Sequence, residues 1–266
     1  MRDVVGHYES GREEARLSGG IAELELVRTR EILRRHLPPA PARVLDVGGG
    51  TGVHAEWLLG SGYQVHLVDV TPRHVAASLD RLGSAGLTAE VGDARHLDVP
   101  DGGFDVALVL GPLYHLQERA DRVRALEEAR RVTKPGALVA VAAISRFASL
   151  FDGLVREYLF DDVFREIVER DFVDGRHENP THREHWFTTA FFHRPEQLAE
   201  EMAAAGLVLS ELVGIEGLAG WLPHLDDRWD DEPDREVILH ATRLVEAEPS
   251  LLGLSAHLLA VARRVD

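Results

Sequence analysis

A cluster of glycines between two short apolar runs is the stretch of this sequence best suited to bind a ligand. Residues 48–52 read Gly-Gly-Gly-Thr-Gly, and Asp46 stands two places before the first glycine. Glycine lets the backbone take positive φ and lets a ligand lie directly against it. The spacing G-x-G-x-G differs from a dinucleotide fingerprint, since Val53 stands where the third fingerprint glycine would be. An acid beside the loop disfavours a pyrophosphate and suits a cationic amino-acid ligand.

A second candidate site follows the apolar run 104–110, where Gly111-Pro112 breaks the pattern and Tyr114 and His115 follow. The imidazole of a histidine titrates near neutral pH, so His115 has the intrinsic pKa of a general base. Tyr114 could orient an acceptor beside it. The alternative for His115 is a structural histidine near a helix start.

Residues 145–194 are rich in aromatic side chains and histidines. Arg146 would favour a carboxylate or phosphate on a substrate, or would pair with a carboxylate of this acidic chain. His182 and His185, with His177 and Glu178 or Glu184 nearby, have a spacing that could ligate zinc or iron. Polar loop histidines or hydrogen-bonding residues of a substrate pocket are the favoured explanation. The sequence holds no cysteine, which disfavours a closed structural zinc site, and we predict no metal. The candidate substrate-binding residues are Arg146, Phe147, His182, His185 and Trp186.

The elements that position these residues alternate between strands and helices. Strands are predicted at 44–47, 64–68, 88–91, 104–110, 137–144, 207–214 and 255–263. Helices are predicted at 53–59, 71–82, 121–132, 150–170, 195–205 and 236–248, while 171–189 and 221–235 are expected to be irregular. Thr71 is the expected N-cap of the second of these helices, with Pro72 in its first turn. Such alternation predicts a parallel sheet with right-handed crossovers.

Residues 1–37 are predicted to be mainly helical, with the helix of 23–37 ended by Pro38-Pro39. This leading segment is either a solvated helix or a lid whose Tyr8 or Arg12 folds over a bound ligand. The insertion 146–194 follows a strand and is expected to form a cap over the ligand crevice.

Five motifs in register resemble class I methyltransferases that depend on S-adenosylmethionine (SAM). D-x-G-x-G-x-G at 46–52 is similar to the first motif of that family, and Arg131-Val132-Thr133-Lys134-Pro135-Gly136 is similar to its turn before strand 5. The resemblance is strong over residues 40–145 and weak over 195–266. It implies a seven-stranded sheet whose last strand is antiparallel. The predicted fold is therefore an α/β Rossmann-like sheet that is mostly parallel, with the leading segment as a helical N-terminal lid and the insertion as a cap after strand 5.

The resemblance also implies roles for individual residues. Asp69 would accept the ribose hydroxyls, the loop at Asp93 would bind the adenine, and Thr51 with the loop N–H groups would hold the methionine carboxylate. The segment with Tyr114 and His115 would line the methyl-transfer site as its catalytic residues. The expected cofactor-binding residues are Asp46, Gly48, Gly50, Thr51, Gly52, Asp69, Asp93, Ala94, Leu110 and Tyr8.

Composition limits the partners. The net charge of −16 repels phosphate backbones and argues against a nucleic-acid substrate. The N-terminal residues lack the apolar core of a signal peptide, and no apolar run is long enough to span a membrane. With no cysteine, the chain suits a reducing cytosol. We expect a single cytoplasmic domain over 1–266, monomeric or homodimeric, with a small-molecule partner.

The predicted function is methyl transfer from SAM to a small molecule at an O, N or C atom, with S-adenosylhomocysteine (SAH) as product. One alternative is a SAM- or SAH-binding protein of the same fold that does not methylate and serves a regulatory role. Others are an RNA or protein methyltransferase and a nicotinamide oxidoreductase. A general base is required only if the acceptor keeps its proton at working pH.

Overall fold

The structure is a computed structural model that describes residues 20–83, 85–181, 183 and 186–266. Its strands are β1 (Arg43–Val47), β2 (Gln64–Asp69), β3 (Leu87–Val91), β4 (Phe104–Val109), β5 (Thr133–Ser145), β6 (Arg176–His177), β7 (Ala190–His193), β8 (Leu207–Gly214) and β9 (His257–Arg264). Its α-helices are α1 (Gly20–His36), α2 (Val53–Gly60), α3 (Pro72–Leu82), α4 (Arg119–Val132), α5 (Ala148–Val155), α6 (Asp162–Asp174), α7 (Pro195–Ala204), α8 (Leu225–Trp229) and α9 (Glu232–Val245). Tyr8, His182 and His185 lie outside the described residues, so their roles stay predictions.

Five parallel strands form the part of the sheet that carries the glycine loop. Their order is β3-β2-β1-β4-β5, and every neighbouring pair in it is parallel. The apolar run of β4 is buried from Val106 to Val109, as a strand covered on both faces requires. The predicted class, an α/β Rossmann-like sheet that is mostly parallel, is confirmed.

The strand count differs from the expected seven. The sheet of the described residues has nine strands, because β6 and β7 add two short ones within the stretch 146–194. β7 pairs in parallel with the end of β5, where Ile144 faces Phe192. The predicted closing strands are present as β8 and β9, and β9 pairs with both β5 and β8.

The chain divides into two compact units. The core unit holds residues 33–142, 198–211 and 260–266, and the cap unit holds the described residues up to 32 together with 143–197 and 212–259. The expected single domain over the whole chain stays a prediction. Among the helices that the structure describes, none has the length and hydropathy needed to cross a membrane.

Two ion pairs connect neighbouring elements of the core unit. Arg122 on α4 contacts Glu201 on α7 with 2.6 Å between a guanidinium nitrogen and a carboxylate oxygen, and both side chains are buried. Arg122 also donates to the carbonyls of Leu116 and Gln117. At the amino ends of β4 and β5, the ammonium of Lys134 lies 2.6 Å from a carboxylate oxygen of Asp105.

The cap unit contains helices where a loop was predicted. The prediction that residues 221–235 form an irregular loop is wrong, since α8 begins at Leu225 and α9 begins at Glu232. Leu225 and Trp229 are buried in an apolar cluster. The indole N–H of Trp229 donates to Glu23 at 2.7 Å. Tertiary packing of these two residues therefore stabilises α8. The charged residues between them made the helix hard to predict from the sequence.

Candidate functional site

The glycine loop leaves β1 with a backbone that only glycine adopts easily. Gly48, Gly50 and Gly52 have φ of 71°, 56° and 84°, in the left-handed region. A Cβ added at Gly48 would lie 2.6 Å from the ring of Pro112, so a side chain cannot fit there. A Cβ added at Gly50 would meet no described atom within 4 Å. The loop is therefore closed on one side and open at Gly50, where a ligand can lie against the backbone.

Asp46 lies beneath this loop with its carboxyl group buried. The residue is 1% exposed, and its Oδ2 accepts no hydrogen bond from the described residues. A Cβ added at Gly49 would lie 2.7 Å from that oxygen, which places the carboxyl directly against the loop. Burial and then the nearby charge of Asp69 raise the pKa of Asp46 to about 7. This acid therefore titrates near neutral pH.

Asp69, at the carboxyl end of β2, has the opposite environment. One carboxylate oxygen accepts the N–H of Gly50 at 2.9 Å, and the other accepts the N–H of Thr71 at 2.8 Å. The imidazole Nδ1 of His74 lies 3.2 Å from this second oxygen. Burial would raise the pKa of Asp69, but the hydrogen bonds from His74, Thr71 and Gly50 lower it below its ordinary value. Asp69 is thus an ionised carboxylate fixed against the glycine loop.

Thr71 and His74 refine what the sequence predicted for the start of α3. Thr71 occupies the N-cap position and Pro72 the first turn, as predicted, but the Thr71 side chain makes no capping hydrogen bond. Its backbone N–H instead donates a hydrogen bond to the carboxylate of Asp69. His74 was not among the predicted site residues. Its place in the first turn of the helix after β2 was the available signal, because such a residue faces back toward the strand end.

The loop after β3 lies beside the end of β2, since the N–H of Gly92 donates to the carbonyl of Asp69 at 3.0 Å. The carboxylate of Asp93 accepts hydrogen bonds from Arg95, one from the backbone N–H at 2.9 Å and another from a guanidinium nitrogen at 2.7 Å. Burial opposes ionisation of Asp93, but these bonds hold its pKa below the ordinary value. Ala94 is buried beside it. The geometry brings Asp93 and Ala94 to the same end of the sheet as Asp69.

The segment after β4 approaches the glycine loop. Leu110 is half-buried, and a one-turn 3₁₀ helix, Pro112–His115, follows it. A Cβ added at Gly111 would lie 3.3 Å from the carbonyl oxygen of Gly48 and 3.6 Å from the hydroxyl of Tyr114. The rings of Tyr114 and His115 meet edge to face with centroids 4.8 Å apart. Both predicted catalytic side chains are half-buried at this end of the core unit.

Thr51 stands in the same loop between Gly50 and Gly52. Its carbonyl oxygen accepts a guanidinium N–H of Arg81 at 2.8 Å. Glycine-loop N–H groups that precede α2 can bind an anion, and the two acids Asp46 and Asp69 can meet cationic and hydroxyl groups. The open backbone at Gly50 and the unsatisfied buried Asp46 oxygen therefore fit SAM, which carries a carboxylate, an ammonium group and a ribose.

In the cap unit, Arg146 is buried and its donors are used within the protein. Its guanidinium donates to the carbonyls of Phe192 at 2.8 Å and Asp174 at 3.2 Å, and to the side chain of Gln197 at 2.8 Å. This geometry favours a structural role over a contact with substrate, which stays untested. Trp186 is 5% exposed and packs in the apolar cluster of α6.

Phe147 is half-buried and packs against Phe172 with ring centroids 5.2 Å apart. Two further residues of this unit, Asp171 and His177, have side chains that meet at 2.8 Å. The sequence predictions did not include Asp171, and they considered His177 only as a neighbour of possible metal ligands. The sequence offered little signal for this pair, because the bend at Gly175 that brings them together becomes evident only in the fold.

Comparison with known proteins agrees with the geometry. Residues 45–141 match the family model described as a methyltransferase domain. The chain is 29% identical over 196 residues to a ubiquinone biosynthesis O-methyltransferase of Azorhizobium caulinodans, covering 70% of each chain. It is 36% identical over 109 residues to a ubiquinone/menaquinone biosynthesis C-methyltransferase of Ralstonia pickettii, covering 39% of this chain and less than half, 44%, of the relative.

The fold has a similar counterpart among solved structures. A SAM-dependent methyltransferase of Methanosarcina mazei superposes with a TM-score of 0.60 at 16% identity, covering 88% of this chain and 97% of that one. The family match begins within β1 and ends within β5, and it includes the glycine loop, Asp69 and the segment with Tyr114 and His115. The methyltransferase-domain match, the related methyltransferases and the similar fold together support a class I SAM-dependent methyltransferase, with SAM as its cofactor.

Proposed function

We propose that this protein transfers a methyl group from SAM to a small-molecule acceptor. The observation that carries the proposal is the hydrogen bond from the N–H of Gly50, the open loop residue, to the ionised carboxylate of Asp69. Both residues lie at the carboxyl ends of parallel strands. That edge is where α/β sheets bind ligands. When bound, SAM supplies an activated methyl group together with its own leaving group.

In this proposal the core unit binds and orients the cofactor. Asp69 accepts the ribose hydroxyls, and the loop with Asp93 and Ala94 receives the adenine. The N–H groups around Gly50 and the hydroxyl of Thr51 hold the methionine carboxylate. Asp46 provides negative charge beneath the ammonium group. The contribution to rate is then mainly alignment of methyl carbon and acceptor.

The acceptor side of the proposal involves Tyr114 and His115. Tyr114 orients the acceptor, and His115 is a candidate base if the acceptor carries a proton. The acidic surface, with a net charge of −16, supports a small molecule over RNA. A cytoplasmic location and a monomeric or dimeric state belong to the same proposal.

Calorimetry tests the cofactor assignment. Wild-type protein should bind SAM and SAH but not NAD, and Asp69→Ala should weaken SAM binding by at least several-fold. Asp105→Ala is the matched control, because Asp105 is a carboxylate of β4 that pairs with Lys134 at the amino ends of the strands. Unchanged SAM affinity in Asp69→Ala would remove the ribose assignment.

Turnover tests the activity. Wild-type protein with SAM and fractionated small metabolites should form SAH only with fractions that contain an acceptor, and mass spectrometry should find a methylated product. His115→Asn should lower turnover and leave SAM affinity near normal. SAM binding without acceptor-dependent SAH in any fraction would favour the alternative of a non-methylating binding protein.

A further inference from the structure

In the loop after β3, one neighbour, Arg95, holds both oxygens of the Asp93 carboxylate. Oδ1 accepts the backbone N–H of Arg95 at 2.9 Å and its Nε at 3.0 Å. Oδ2 accepts Nη2 of the same guanidinium at 2.7 Å and lies 3.2 Å from Nε. The guanidinium therefore meets the carboxylate as a bidentate pair, the geometry in which an arginine fixes the orientation of a carboxylate.

The Asp93 carboxylate keeps one acceptor position for a ligand. A carboxylate offers about four such positions, two on each oxygen. The backbone N–H and Nε of Arg95 use the two positions on Oδ1, whereas Nη2 uses one of the two on Oδ2. The Asp93 side chain is 33% exposed, so the second position on Oδ2 is not sealed inside the protein.

A second carboxylate holds the guanidinium of Arg95 in place. Its Nη1 lies 2.8 Å from a carboxylate oxygen of Asp121, which belongs to the first turn of α4. Different nitrogens of one guanidinium thus bind Asp93 and Asp121. Because this double contact restricts the rotation of the Arg95 side chain, it also restricts the orientation of Asp93.

The backbone of the same loop is fixed without the Arg95 side chain. Arg131 on α4 donates to the carbonyl of Leu97 at 2.8 Å, and Glu128 on the same helix accepts the N–H of Leu97 at 2.8 Å. Removal of the Arg95 guanidinium should therefore release the Asp93 carboxylate while the loop stays in place.

The charge of Asp93 decides which ligand group suits the remaining position. Partial burial would raise the pKa of Asp93, but the hydrogen bonds from Arg95 hold it below the ordinary value, so the carboxylate is ionised at neutral pH. An ionised carboxylate accepts hydrogen bonds and donates none. The position therefore suits an N–H group, such as the 6-amino group of adenine. It repels a carbonyl oxygen at the same place, such as that of hypoxanthine.

We propose that Arg95 is a positioning residue that orients Asp93 toward the base of the cofactor, and that this pair selects adenine over hypoxanthine. The inference rests on the proposed SAM-dependent function and specifies how the same site recognises the base. Asp93 contacts the base, and Arg95 acts through Asp93. Both residues and Asp121 lie in the core unit.

The experiment compares two ligands that differ only in the base. SAH carries an amino group at position 6, and S-inosylhomocysteine carries a carbonyl oxygen there. Calorimetry at neutral pH gives a Kd for each, and their ratio isolates the base because both ligands share the ribose and homocysteine parts. Wild-type protein should bind SAH about 10–100-fold more tightly, the range of one hydrogen bond to a charged group.

Arg95→Met should lower this ratio by about 3–10-fold, because binding must then order a freely rotating carboxylate. The change should come from weaker SAH binding, with little change for S-inosylhomocysteine. Arg95→Lys keeps the charge but not the fork, so its ratio should lie between those of Arg95→Met and wild type. Asp93→Asn should remove the preference, because its amide can donate to the carbonyl of hypoxanthine.

Arg124→Met is the matched control, since Arg124 on α4 donates to the backbone carbonyl of Arg95 at 3.2 Å. Its ratio should equal that of wild type. Circular dichroism on each variant checks folding. If Arg95→Met does not fold, Arg95→Lys and Asp93→Asn carry the same test.

Three results separate this inference from its rivals. An unchanged ratio in Arg95→Met would overturn it. Equal weakening of both ligands would also overturn it, because an arginine that only supports the loop would affect SAH and S-inosylhomocysteine alike. A wild-type ratio near one with tight SAH binding would reject the base selection and leave the cofactor assignment intact, whereas failure of wild-type protein to bind SAH or SAM would remove the proposed function itself.

Discussion

The buried acid beneath the glycine loop should make SAM binding depend on pH. The pKa of Asp46 is raised to about 7, by burial first and by Asp69 second. A cationic ligand prefers the carboxylate, so protonated Asp46 must lose its proton when SAM binds. The ionised fraction rises from roughly 10% at pH 6 to roughly 90% at pH 8, and SAM affinity should therefore rise about tenfold, close to 1.4 kcal/mol.

Calorimetry at pH 6, 7 and 8 measures this effect directly. At pH 6, binding should release close to one proton, so the observed enthalpy should differ between two buffers of different ionisation enthalpy. Asp46→Asn is the matched control, because it keeps the shape and removes the titration. A wild-type affinity that changes with pH no more than that of Asp46→Asn would refute the reasoning.

The same acid should influence stability, with a sign fixed by its pKa. The pKa in the folded protein lies above the ordinary value of 3.8, so the folded state binds the extra proton and loses stability as pH rises from about 4 to about 7. Ionising Asp46 in place costs up to about 4 kcal/mol. Asp46→Asn should therefore raise Tm by several degrees at pH 8 and change it little at pH 4, as measured by thermal melts.

Three further predictions concern the core unit. Gly48→Ala forces a Cβ to within 2.6 Å of a proline ring at a φ of 71°, so it should abolish SAM binding in calorimetry; normal affinity would contradict the loop geometry. Arg122→Met removes the buried guanidinium that pairs with Glu201 and should lower the free energy of unfolding by about 3–5 kcal/mol in denaturant melts. Arg122→Met combined with Glu201→Leu should recover most of that loss, and no recovery would mean that the pair is not the cause. His74→Leu removes a hydrogen bond that lowers the pKa of Asp69, so SAM affinity should fall a few-fold, most at low pH, and a flat response would reject that coupling.

The strands and helices of the core unit could be predicted because the sequence signals for them are local. The strand predicted at 44–47 is observed from Arg43 to Val47, and α3 begins at Pro72 as predicted. Apolar runs, glycine turns and a proline in a first helical turn each depend on a few adjacent residues. The position of Asp69 at the carboxyl end of β2 could be predicted from the same local signals.

The cap could not be predicted to the same depth because its elements are short and depend on distant partners. β6 has two residues and exists through its pairing with β7. The buried state of Arg146 depends on carbonyls up to 46 residues away, so the sequence alone could not tell a substrate anchor from a structural arginine. The pKa of Asp46 also depends on burial, which its position in the strand indicates only in part.

The lysine that pairs with Asp105 has a practical consequence. Lys134 is the sole lysine of the sequence, and its side chain is 48% exposed. It lies at the amino end of β5, whereas the glycine loop follows the carboxyl end of β1 in the same parallel sheet. An amine-reactive linker that couples to this side chain would attach the core unit by the edge opposite the loop. The protein could then be fixed to a sensor surface in a defined orientation with the cofactor edge facing the solution.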